Sequence, residues 1–229
     1  MLNRIAVVVP AHDERDLLPA CLTALRQAAA AVAPLPVEVI VVADGCTDDT
    51  VAVARRSGAR VVEVRHRNVG RARAAGMTYA LRHGPAGLWL ATTDADSLVD
   101  TGWLGWHRDH ATAGTEILAG TVAVADWQTW PAGVRAEYDL RYQAAMTATG
   151  HRHVHGANLG CDAGVYAGLG GFAALDHDED RDLVARAHAA GRQVTYDRGS
   201  PVVTSARRAA RAPHGFAAHI AGIAATTGS

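Results

Sequence analysis

Two carboxylates with one residue between them, Asp94 and Asp96, follow closely on an apolar run that ends at Thr92. The run Leu88–Thr92 predicts a buried strand, and ionised carboxylates beside a core are costly unless they are paired or bound to a cation. Mg2+ and Mn2+ prefer oxygen ligands and often share them with substrate phosphates. The two acids therefore predict a metal–diphosphate site. A helix cap followed by a surface turn is the alternative, because Asp is a common capping residue.

The composition sets broad limits on function. The 229 residues fit one large domain, or one domain with a small appendage. Lys+Arg 22 against Asp+Glu 23 gives a formal net charge of -1, so bulk charge does not support nucleic acid as a partner. The stretch Met1–Pro10 lacks a basic leader and a signal-type apolar core with a cleavage site, so we expect no secretory signal there.

Cysteine usage and hydropathy bear on location. Cys21, Cys46 and Cys161 are odd in number and far apart, which favours a reducing cytosol over a disulfide framework. The apolar stretches Gln27–Pro34 and Phe216–Ala225 are too short to span a bilayer. The second stretch can lie on a membrane or pack on the core, and core packing is favoured because it has no basic face. We therefore expect a cytoplasmic protein, with peripheral contact at the inner membrane face left open.

Strands and helices alternate over the first hundred residues, which predicts a parallel sheet covered by helices. The predicted strands are Ile5–Val9, Val37–Val42, Val61–Val64 and Leu88–Thr92. The predicted helices are Leu17–Val32, a helix capped by Asp48 or Asp49 that runs to about Ser57, and Gly70–His83. Ligands of such sheets bind at the carboxyl ends of the strands. Four loops are candidates there: Pro10–Glu14, Asp44–Asp49, Arg65–Arg73 and Asp94–Ser97.

The second half of the sequence is less regular. The pattern predicts a strand over Ile117–Ala125, a helix over Ala132–Thr149, a loop over His155–Gly160, a helix over Asp180–Ala190 and a strand over Gln193–Tyr196. From Ser205 the chain continues as a tail that carries Arg207, Arg208 and Arg211.

Several motifs stand in an order that resembles the family 2 glycosyltransferases of the GT-A fold. They are VVVPAHDE (Val7–Glu14), VVADGCTDDT (Val41–Thr50), NVGRARAAG (Asn68–Gly76), TTDADS (Thr92–Ser97) and DEDRDLVARAHAAG (Asp178–Gly191). The resemblance implies an α/β GT-A fold, with a mostly parallel central sheet flanked by helices in a single domain. It implies a domain over 1–204, with a donor half of about 1–100 and an acceptor half of about 101–204, followed by a tail or flap over 205–229.

The resemblance also assigns residues to the donor nucleotide. Asp44 is expected to read the base, since a carboxylate accepts from a base N–H, whereas a turn-forming Asp-Gly pair is the simpler alternative. Arg73 is favoured over Arg71 as a nucleotide contact, because helix N-termini and Arg both attract phosphate. Asp13 or Glu14 is expected to cap the following helix as well. The expected donor contacts are Pro10, Ala11, His12, Glu14, Asp44, Arg73, Asp94 and Ala95.

Metal and catalytic roles follow from the same resemblance. Asp96 is expected to bind a divalent cation, Mn2+ or Mg2+, and Asp94 to meet the ribose or a metal-bound water. Asp180 is the expected catalytic base of an inverting reaction, with Glu179 as the second candidate, and crowded acids raise one another's pKa. An acidic helix N-terminus that merely stabilises the dipole is the alternative.

Histidines supply further candidates. The alternating run His151–His155 can form a zinc site, although a polar loop lining the acceptor pocket is favoured, with His155 and Asn158 as acceptor contacts. His107 and His110 are expected on the surface. His214 resembles a C-terminal metal ligand of some GT-A relatives, and Arg207, Arg208 or Arg211 is a candidate to fold over the diphosphate.

These residues predict a metal-dependent glycosyltransferase that moves a sugar from a UDP- or GDP-sugar to an acceptor hydroxyl. A sugar-1-phosphate nucleotidyltransferase is a rival, although Val9–Glu14 lacks the Gly-rich basic loop that such enzymes usually carry. A non-catalytic nucleotide-binding module is the second rival. The sequence names neither the sugar, the acceptor nor the oligomeric state.

Overall fold

A computed structural model describes residues 1–131, 133–206 and 216–227. These residues form ten strands: β1 Arg4–Ala11, β2 Val37–Asp44, β3 Arg60–Val64, β4 Leu88–Thr92, β5 Ser97–Leu98, β6 Ile117–Ala119, β7 Val122–Ala125, β8 Leu159–Asp162, β9 Val194–Tyr196 and β10 Val202–Ser205. The same residues form eight α-helices: α1 Leu18–Ala31, α2 Thr50–Arg56, α3 Val69–Ala80, α4 Trp103–Thr112, α5 Val134–Gln143, α6 Ala163–Gly168, α7 Glu179–Ala189 and α8 Phe216–Thr227.

The central sheet has seven strands in the order β3-β2-β1-β4-β8-β6-β9. Strands β1 to β4 pair in parallel, β8 runs antiparallel to both β4 and β6, and β9 is parallel to β6. A smaller sheet has the order β5-β10-β7. The predicted α/β fold with a mostly parallel central sheet is thereby confirmed.

Helices cover both faces of the central sheet because its inner strands are apolar on both sides. Val7 and Val9 of β1 pack in one core cluster with residues of α1 and α4. Val8 packs on the opposite face, in a cluster with residues of α3, α6 and α7. This is the burial expected of strands in a parallel sheet. It leaves the loops at the ends of the strands free to carry polar groups.

The strand predicted over Ile117–Ala125 is two strands in two sheets. The chain leaves the central sheet after β6 and joins the small sheet as β7, with Gly120 and Thr121 between them. A Cβ at Gly120 would lie 2.3 Å from Nδ2 of Asn158, and that Nδ2 donates to the carbonyl of Thr121. The buried side chain of Asn158, directly before β8, therefore fixes the point at which the chain passes from the central sheet to the small sheet. The alternation of apolar residues along β6 and β7 does not indicate this contact.

Helix α1 begins at Leu18, too far along the chain for Asp13 or Glu14 to be its N-cap residue. Its N-cap is Leu17, with no side-chain hydrogen bond at that end, so the expectation that Asp13 or Glu14 caps it is wrong. Pro10 and Ala11 belong to β1 and pair with β2 rather than lying in the loop. Helix α5 is shorter than predicted, since the chain forms a short bridge between Met146 and His151 after it.

From Ser97 onward the chain also contains elements that its pattern did not predict, namely β5, α4, β8, α6 and β10. Helix α8 packs through Ile220 and Ile223 on Trp130, Val134 and Tyr138, which confirms core packing for this part of the tail. None of the described helices combines the length and the apolar character needed to cross a bilayer.

His107 is buried rather than on the surface, which corrects the expectation for this residue. Its Nδ1 accepts a hydrogen bond from Nε1–H of Trp89 at 3.0 Å. Its ring also meets the ring of Trp103 edge-on, at 4.4 Å between centroids, and that of Trp106 at 4.9 Å. Three tryptophans therefore enclose one imidazole behind β4 and β8. His110, one turn on, is half-buried and lies 3.3 Å from the carboxylate of Asp197.

We expect Gly160→Ala to destabilise the fold by ~1–3 kcal/mol, the usual cost of overpacking a core. A Cβ at Gly160 would lie 2.7 Å from ring atoms of both His107 and Trp89. Urea denaturation measures the change. Gly168→Ala is the matched control, because no atom lies within 4 Å of a Cβ there. Equal stability of the Gly160 variant and the parent would contradict this packing.

Burial lowers the pKa of His107 from 6.5 to about 3, and the nearby His110 acts in the same direction. Between pH 6.5 and 3, His107 is therefore protonated in the unfolded chain but not in the folded chain. The free energy of unfolding falls as the pH drops through this range. We expect the slope from this residue to approach ~1.4 kcal/mol per pH unit. In His107→Phe that part of the slope disappears, although stability at pH 7 falls because Trp89 loses its acceptor. Urea denaturation of both proteins across this range measures the difference in slope, and an unchanged slope would refute the assignment.

Candidate functional site

The turn after β4 carries the first two acids of the site. Ser97 N–H donates to the carbonyl of Asp94 at 3.1 Å, which closes a turn between β4 in the central sheet and β5 in the small sheet. The side chains of Asp94 and Asp96 are half-buried. Burial raises the pKa of the Cys21 thiol, and the charges of Asp94, Asp96 and Glu14 raise it further, so these three carboxylates share one neighbourhood.

Arg73 joins this turn to the second half of the chain. The residue is 4% exposed. Its Nη2 donates to Oδ1 of Asp94 at 2.5 Å, and its Nη1 donates to Oε1 of Glu179. A single guanidinium therefore holds an acid of the β4–β5 turn and an acid at the start of α7. Residues more than a hundred positions apart in sequence meet at one point.

Glycines let the chain come close enough for this contact. A Cβ at Gly76 would lie 2.5 Å from Val8, so helix α3 packs directly on the sheet. A Cβ at Gly156 would lie 2.5 Å from Cζ of Arg73, and one at Gly70 would lie 2.9 Å from Cγ of Glu179. These three positions require glycine because the neighbouring atoms leave no room for a Cβ. Sequence reasoning did not identify these three glycines as parts of the site.

Asp180 stands next to the ion-pair network. Its Oδ2 accepts from the backbone N–H of Gly156 at 2.7 Å, and its Oδ1 accepts from the N–H of Arg181 at 2.8 Å. Burial raises the pKa of Asp180; the charge of Arg73 lowers it, the charge of Glu179 raises it, and the balance is a raised pKa. The carboxyl therefore holds a proton at higher pH than an exposed aspartate does.

Arg73 stays charged in spite of its burial. Burial alone would lower its pKa, but the charges of Asp94, Glu179 and Asp180 raise it above the ordinary arginine value. The guanidinium is committed to two carboxylates. A contact with the donor nucleotide would share the guanidinium with these two carboxylates, whereas its effect on the position of Asp94 is direct.

Asp44, the predicted base-reading acid, is 4% exposed and holds a loop. Its Oδ1 accepts from the backbone N–H groups of His66 at 2.5 Å and Arg67 at 2.8 Å, and its Oδ2 accepts from Asn68 at 2.8 Å. His12 Nδ1–H donates to the Asp44 carbonyl at 2.6 Å, so the loops after β1 and β2 meet here. A base contact by Asp44 would share its carboxylate with these donors.

The remaining donor candidates lie on the same side of the fold. Pro10 and Ala11 end β1 beside β2, and Glu14 is 4% exposed, with its N–H donating to Oγ1 of Thr50 at 2.8 Å. Ala95 is buried inside the β4–β5 turn. The loops that follow β1, β2 and β4 therefore border one another, as the sequence predicted from the carboxyl ends of parallel strands.

Three potential metal ligands, Asp13, Cys46 and Asp48, lie with their ligand atoms within 4.8 Å of one another. In the described parts of the chain this is the only such group of three or more. Asp13 also accepts from the N–H groups of Thr47 at 2.6 Å and Asp48 at 3.2 Å, and these contacts lower the pKa of Asp13 although burial opposes them. The sequence analysis did not single out this cluster.

The predicted metal acids, Asp94 and Asp96, fit a hard divalent cation by chemistry. Both are half-buried carboxylates on one turn, and neither belongs to a group of three ligands among the described residues. A cation held by only two side chains takes its remaining ligands from water and from substrate phosphates, which is the habit of Mg2+ in phosphate sites. Two acids beside an expected diphosphate therefore suit the predicted role.

The histidine run forms a stack of rings instead of a zinc site. His153 stacks on Tyr142 at 3.8 Å between centroids, and His155 lies near-parallel to Tyr142 at 5.9 Å. His151 and His153 each direct Nε2–H to backbone carbonyls, those of Ala119 and Tyr142 respectively. Burial lowers the pKa of both imidazoles. With no group of three ligands here in the described chain, the zinc alternative is wrong.

The two acceptor candidates have different fates. His155 precedes Gly156, whose N–H binds Asp180, so it lies beside the predicted base. Asn158 is fully buried and donates to the carbonyls of Thr121 and Ser200 while accepting from Nε1 of Trp103. It therefore cannot reach an acceptor, and the expectation for it is wrong. The candidates in the tail lie outside the described residues: His214, Arg207, Arg208 and Arg211.

The sequence profile of glycosyl transferase family 2 matches residues 6–169. The chain belongs to this family. No curated protein matches the sequence significantly. Several solved glycosyltransferase structures share the fold of this family 2 glycosyltransferase, which confirms the resemblance drawn from the motifs.

Three of these structures illustrate the similarity. S. aureus TarS 1-349 in complex with UDP-GlcNAc has a TM-score of 0.65 at 14% identity, covering 97% of this chain and 66% of TarS 1-349. PcManGT, a mannosyltransferase from Pyrobaculum calidifontis in complex with GDP-Man and Mn2+, has a TM-score of 0.68 at 21% identity. The match covers 91% of this chain and 58% of PcManGT. Glucosyl-3-phosphoglycerate synthase from Mycobacterium tuberculosis, in complex with Mn2+, UDP and glucosyl-3-phosphoglycerate, has a TM-score of 0.55 at 16% identity. The match covers 86% of this chain and 71% of the synthase. The chain thus spans less than two thirds of the first two neighbours.

We expect Arg73→Met to destabilise the protein by ~3–5 kcal/mol, because Glu179 then remains as a buried carboxylate without its cation. Urea denaturation measures the loss. Adding Glu179→Gln to this variant is expected to restore part of the stability. Arg82→Met is the matched control, since Arg82 pairs with Glu38 at 2.9 Å on the surface and such pairs contribute at most ~1 kcal/mol. Similar losses in both arginine variants would contradict the buried network.

Proposed function

We propose that this family 2 glycosyltransferase moves a sugar from a UDP- or GDP-sugar to an acceptor hydroxyl, with a divalent cation at Asp94 and Asp96. The observation that supports it best is the Arg73 cross-link, since it brings Asp94 of the donor half beside Glu179 and Asp180 of the acceptor half. Donor and acceptor chemistry would then share one edge of the sheet.

The choice of nucleotide draws on the structural neighbours. TarS is described with UDP-GlcNAc, and PcManGT with GDP-Man and Mn2+. The glucosyl-3-phosphoglycerate synthase is described with UDP and Mn2+. We therefore propose a UDP or GDP carrier and favour Mn2+ over Mg2+ as the first cation to test.

The donor side of the proposed site follows the carboxyl ends of β1, β2 and β4. Asp44 would contact the base at the edge of the loop that it holds. Asp94 and Asp96 would hold the cation, which when bound supplies Lewis-acid stabilisation of charge on the leaving nucleoside diphosphate. The other proposed donor contacts are Pro10, Ala11, His12, Glu14, Arg73 and Ala95.

Asp180 would act as the base if the reaction inverts the anomeric carbon. The acceptor oxygen would bond to that carbon, the nucleoside diphosphate would leave with the electron pair, and the acceptor proton would pass to Asp180. Its raised pKa brings it closer to the pKa that suits a general base near neutral pH. Glu179, fixed on Arg73, would position this carboxylate, and His155 would border the acceptor.

A cytoplasmic location remains part of the proposal. In the structure Cys21, Cys46 and Cys161 are free thiols, which is consistent with a reducing compartment.

The decisive experiment compares binding with turnover in Asp180→Asn. A thermal-shift screen of UDP, GDP and other nucleoside diphosphates, with and without Mn2+, identifies the carrier, because a ligand that binds only the folded form raises its stability. Transfer by the variant is expected to fall ~10²–10⁴-fold, the usual contribution of a general base, while donor binding is retained. Asp176→Asn is the control, since Asp176 is exposed on the same segment.

Three results would count against the proposal. Unchanged transfer in Asp180→Asn would remove the base assignment. Binding of a nucleotide without transfer to any acceptor by the parent would favour the non-catalytic alternative. Formation of a nucleotide-sugar from a sugar phosphate would instead favour the nucleotidyltransferase alternative.

A further inference from the structure

A loop rich in arginine leads from β3 into α3, and the function proposed above gives its exposed basic side chains no role. Over residues 55–73 the chain has seven arginines and a single acid, Glu63. Arg55 pairs with Glu63, Arg60 lies near Glu38, and Arg73 is buried in the ion-pair network. Arg56 lies at the end of α2. The basic side chains that remain at the loop are exposed, and we call them the basic loop: Arg65, His66, Arg67 and Arg71.

The basic loop has a fixed backbone. The buried carboxylate of Asp44 accepts three of its backbone N–H groups, and Arg67 is held in the left-handed region at φ 50°. The Arg67 side chain runs over Gly45, where a built Cβ would lie 3.7 Å from its Cγ. Asn68 caps α3 by accepting from the N–H of Arg71 at 2.8 Å. The exposed basic side chains are therefore presented by an ordered backbone.

Within the described chain, none of the four side chains of the basic loop lies within 4.0 Å of a carboxylate oxygen as an ion pair. Asp44 contacts the loop through its backbone, because both carboxylate oxygens of Asp44 accept hydrogen bonds from backbone N–H groups. A protein with a net charge of -1 thus concentrates unneutralised positive charge at one place. Arginine forks suit phosphate and carboxylate groups.

The loop borders the acceptor side of the proposed site. Nδ2 of Asn68 donates to the carbonyl of Leu175 at 2.7 Å, on the segment that leads to Asp180. Gly70, one residue before Arg71, packs against the Glu179 side chain. The proposed function assigns the donor diphosphate to the β4–β5 turn and the uncharged base to Asp44, so we assign an anionic group at the exposed side chains of the basic loop to the acceptor.

We propose that the basic loop binds an anionic group of the acceptor, a phosphate or a carboxylate, and so places the acceptor hydroxyl towards Asp180. The inference rests on the proposed function, because it assumes that Asp180 faces the acceptor. The same phosphate chemistry is offered by a free phosphorylated acceptor and by a phospholipid headgroup. The experiment separates these two sources.

The test uses the full chain with its donor site filled by UDP and Mn2+, or by GDP and Mn2+, whichever stabilises it. Inorganic phosphate is titrated by calorimetry, and binding to vesicles of phosphatidylglycerol and of phosphatidylcholine is measured by sedimentation. The triple variant Arg65→Gln/Arg67→Gln/Arg71→Gln is compared with Arg15→Gln/Arg108→Gln/Arg135→Gln, which removes the same charge from exposed arginines elsewhere.

We expect the parent and the control variant to bind phosphate equally. The basic-loop variant is expected to bind phosphate at least about tenfold more weakly, because the loss of one charge-assisted hydrogen bond lowers affinity by about this factor. Binding to phosphatidylglycerol alone, lost in the basic-loop variant, would identify a lipid headgroup as the source. Equal anion binding by both variants would overturn the proposal. So would loss of phosphate binding when the donor site is filled, because the anion would then be in that site.

The two proposals fail in different ways. If no nucleoside diphosphate stabilises the protein, the proposed function fails, whereas phosphate binding by the basic loop can still be measured on the protein alone. If a nucleoside diphosphate binds but neither phosphate nor anionic vesicles bind at the loop, only the inference about the acceptor fails.

Discussion

A buried guanidinium holds the two halves of this glycosyltransferase together at the site. Arg73 is shielded from water and bonded to carboxylates from the β4–β5 turn and from α7. Desolvating a charge is costly, and the cost is offset only when the partners are in place. The positions of Asp94 and Glu179 are therefore not independent of each other. A change that moves α7 therefore also shifts Arg73 and Asp94, in the turn that carries the predicted metal acids.

A second constraint is close packing by residues without a side chain. Gly76 lets α3 rest on the sheet, and Gly70 and Gly156 admit Glu179 and Arg73 at distances that a Cβ would block. The charged groups are therefore positioned by backbone that approaches them closely. This is consistent with a site whose geometry is set before a ligand arrives, which lowers the cost of ordering it on binding.

Sequence reasoning predicted the strands and helices of about the first ninety residues well, because their periods are regular and the acids stand at strand ends. It failed where tertiary contacts decide. Asn158 looked like a pocket residue, but three internal hydrogen bonds bury it at the point where the chain changes sheets. His107 looked like a surface residue because polar type alone carries no information about the tryptophans from β4 and α4 that surround it. The partners of Arg73 were equally invisible, since a helical arginine is usually solvated and Glu179 lies far away in sequence.

The small sheet has a consequence for how the protein is made. Leu98, directly after the turn that carries Asp94 and Asp96, pairs with Val203 of β10, more than a hundred residues later in the sequence. During synthesis β4 and its acids emerge long before β10, so the turn is anchored by β4 alone until β10 has left the ribosome and can pair with β5. Contacts of such large sequence separation form late and slowly. The turn that carries Asp94 and Asp96 thus gains its contact with β10 only after most of the chain that follows it has been made.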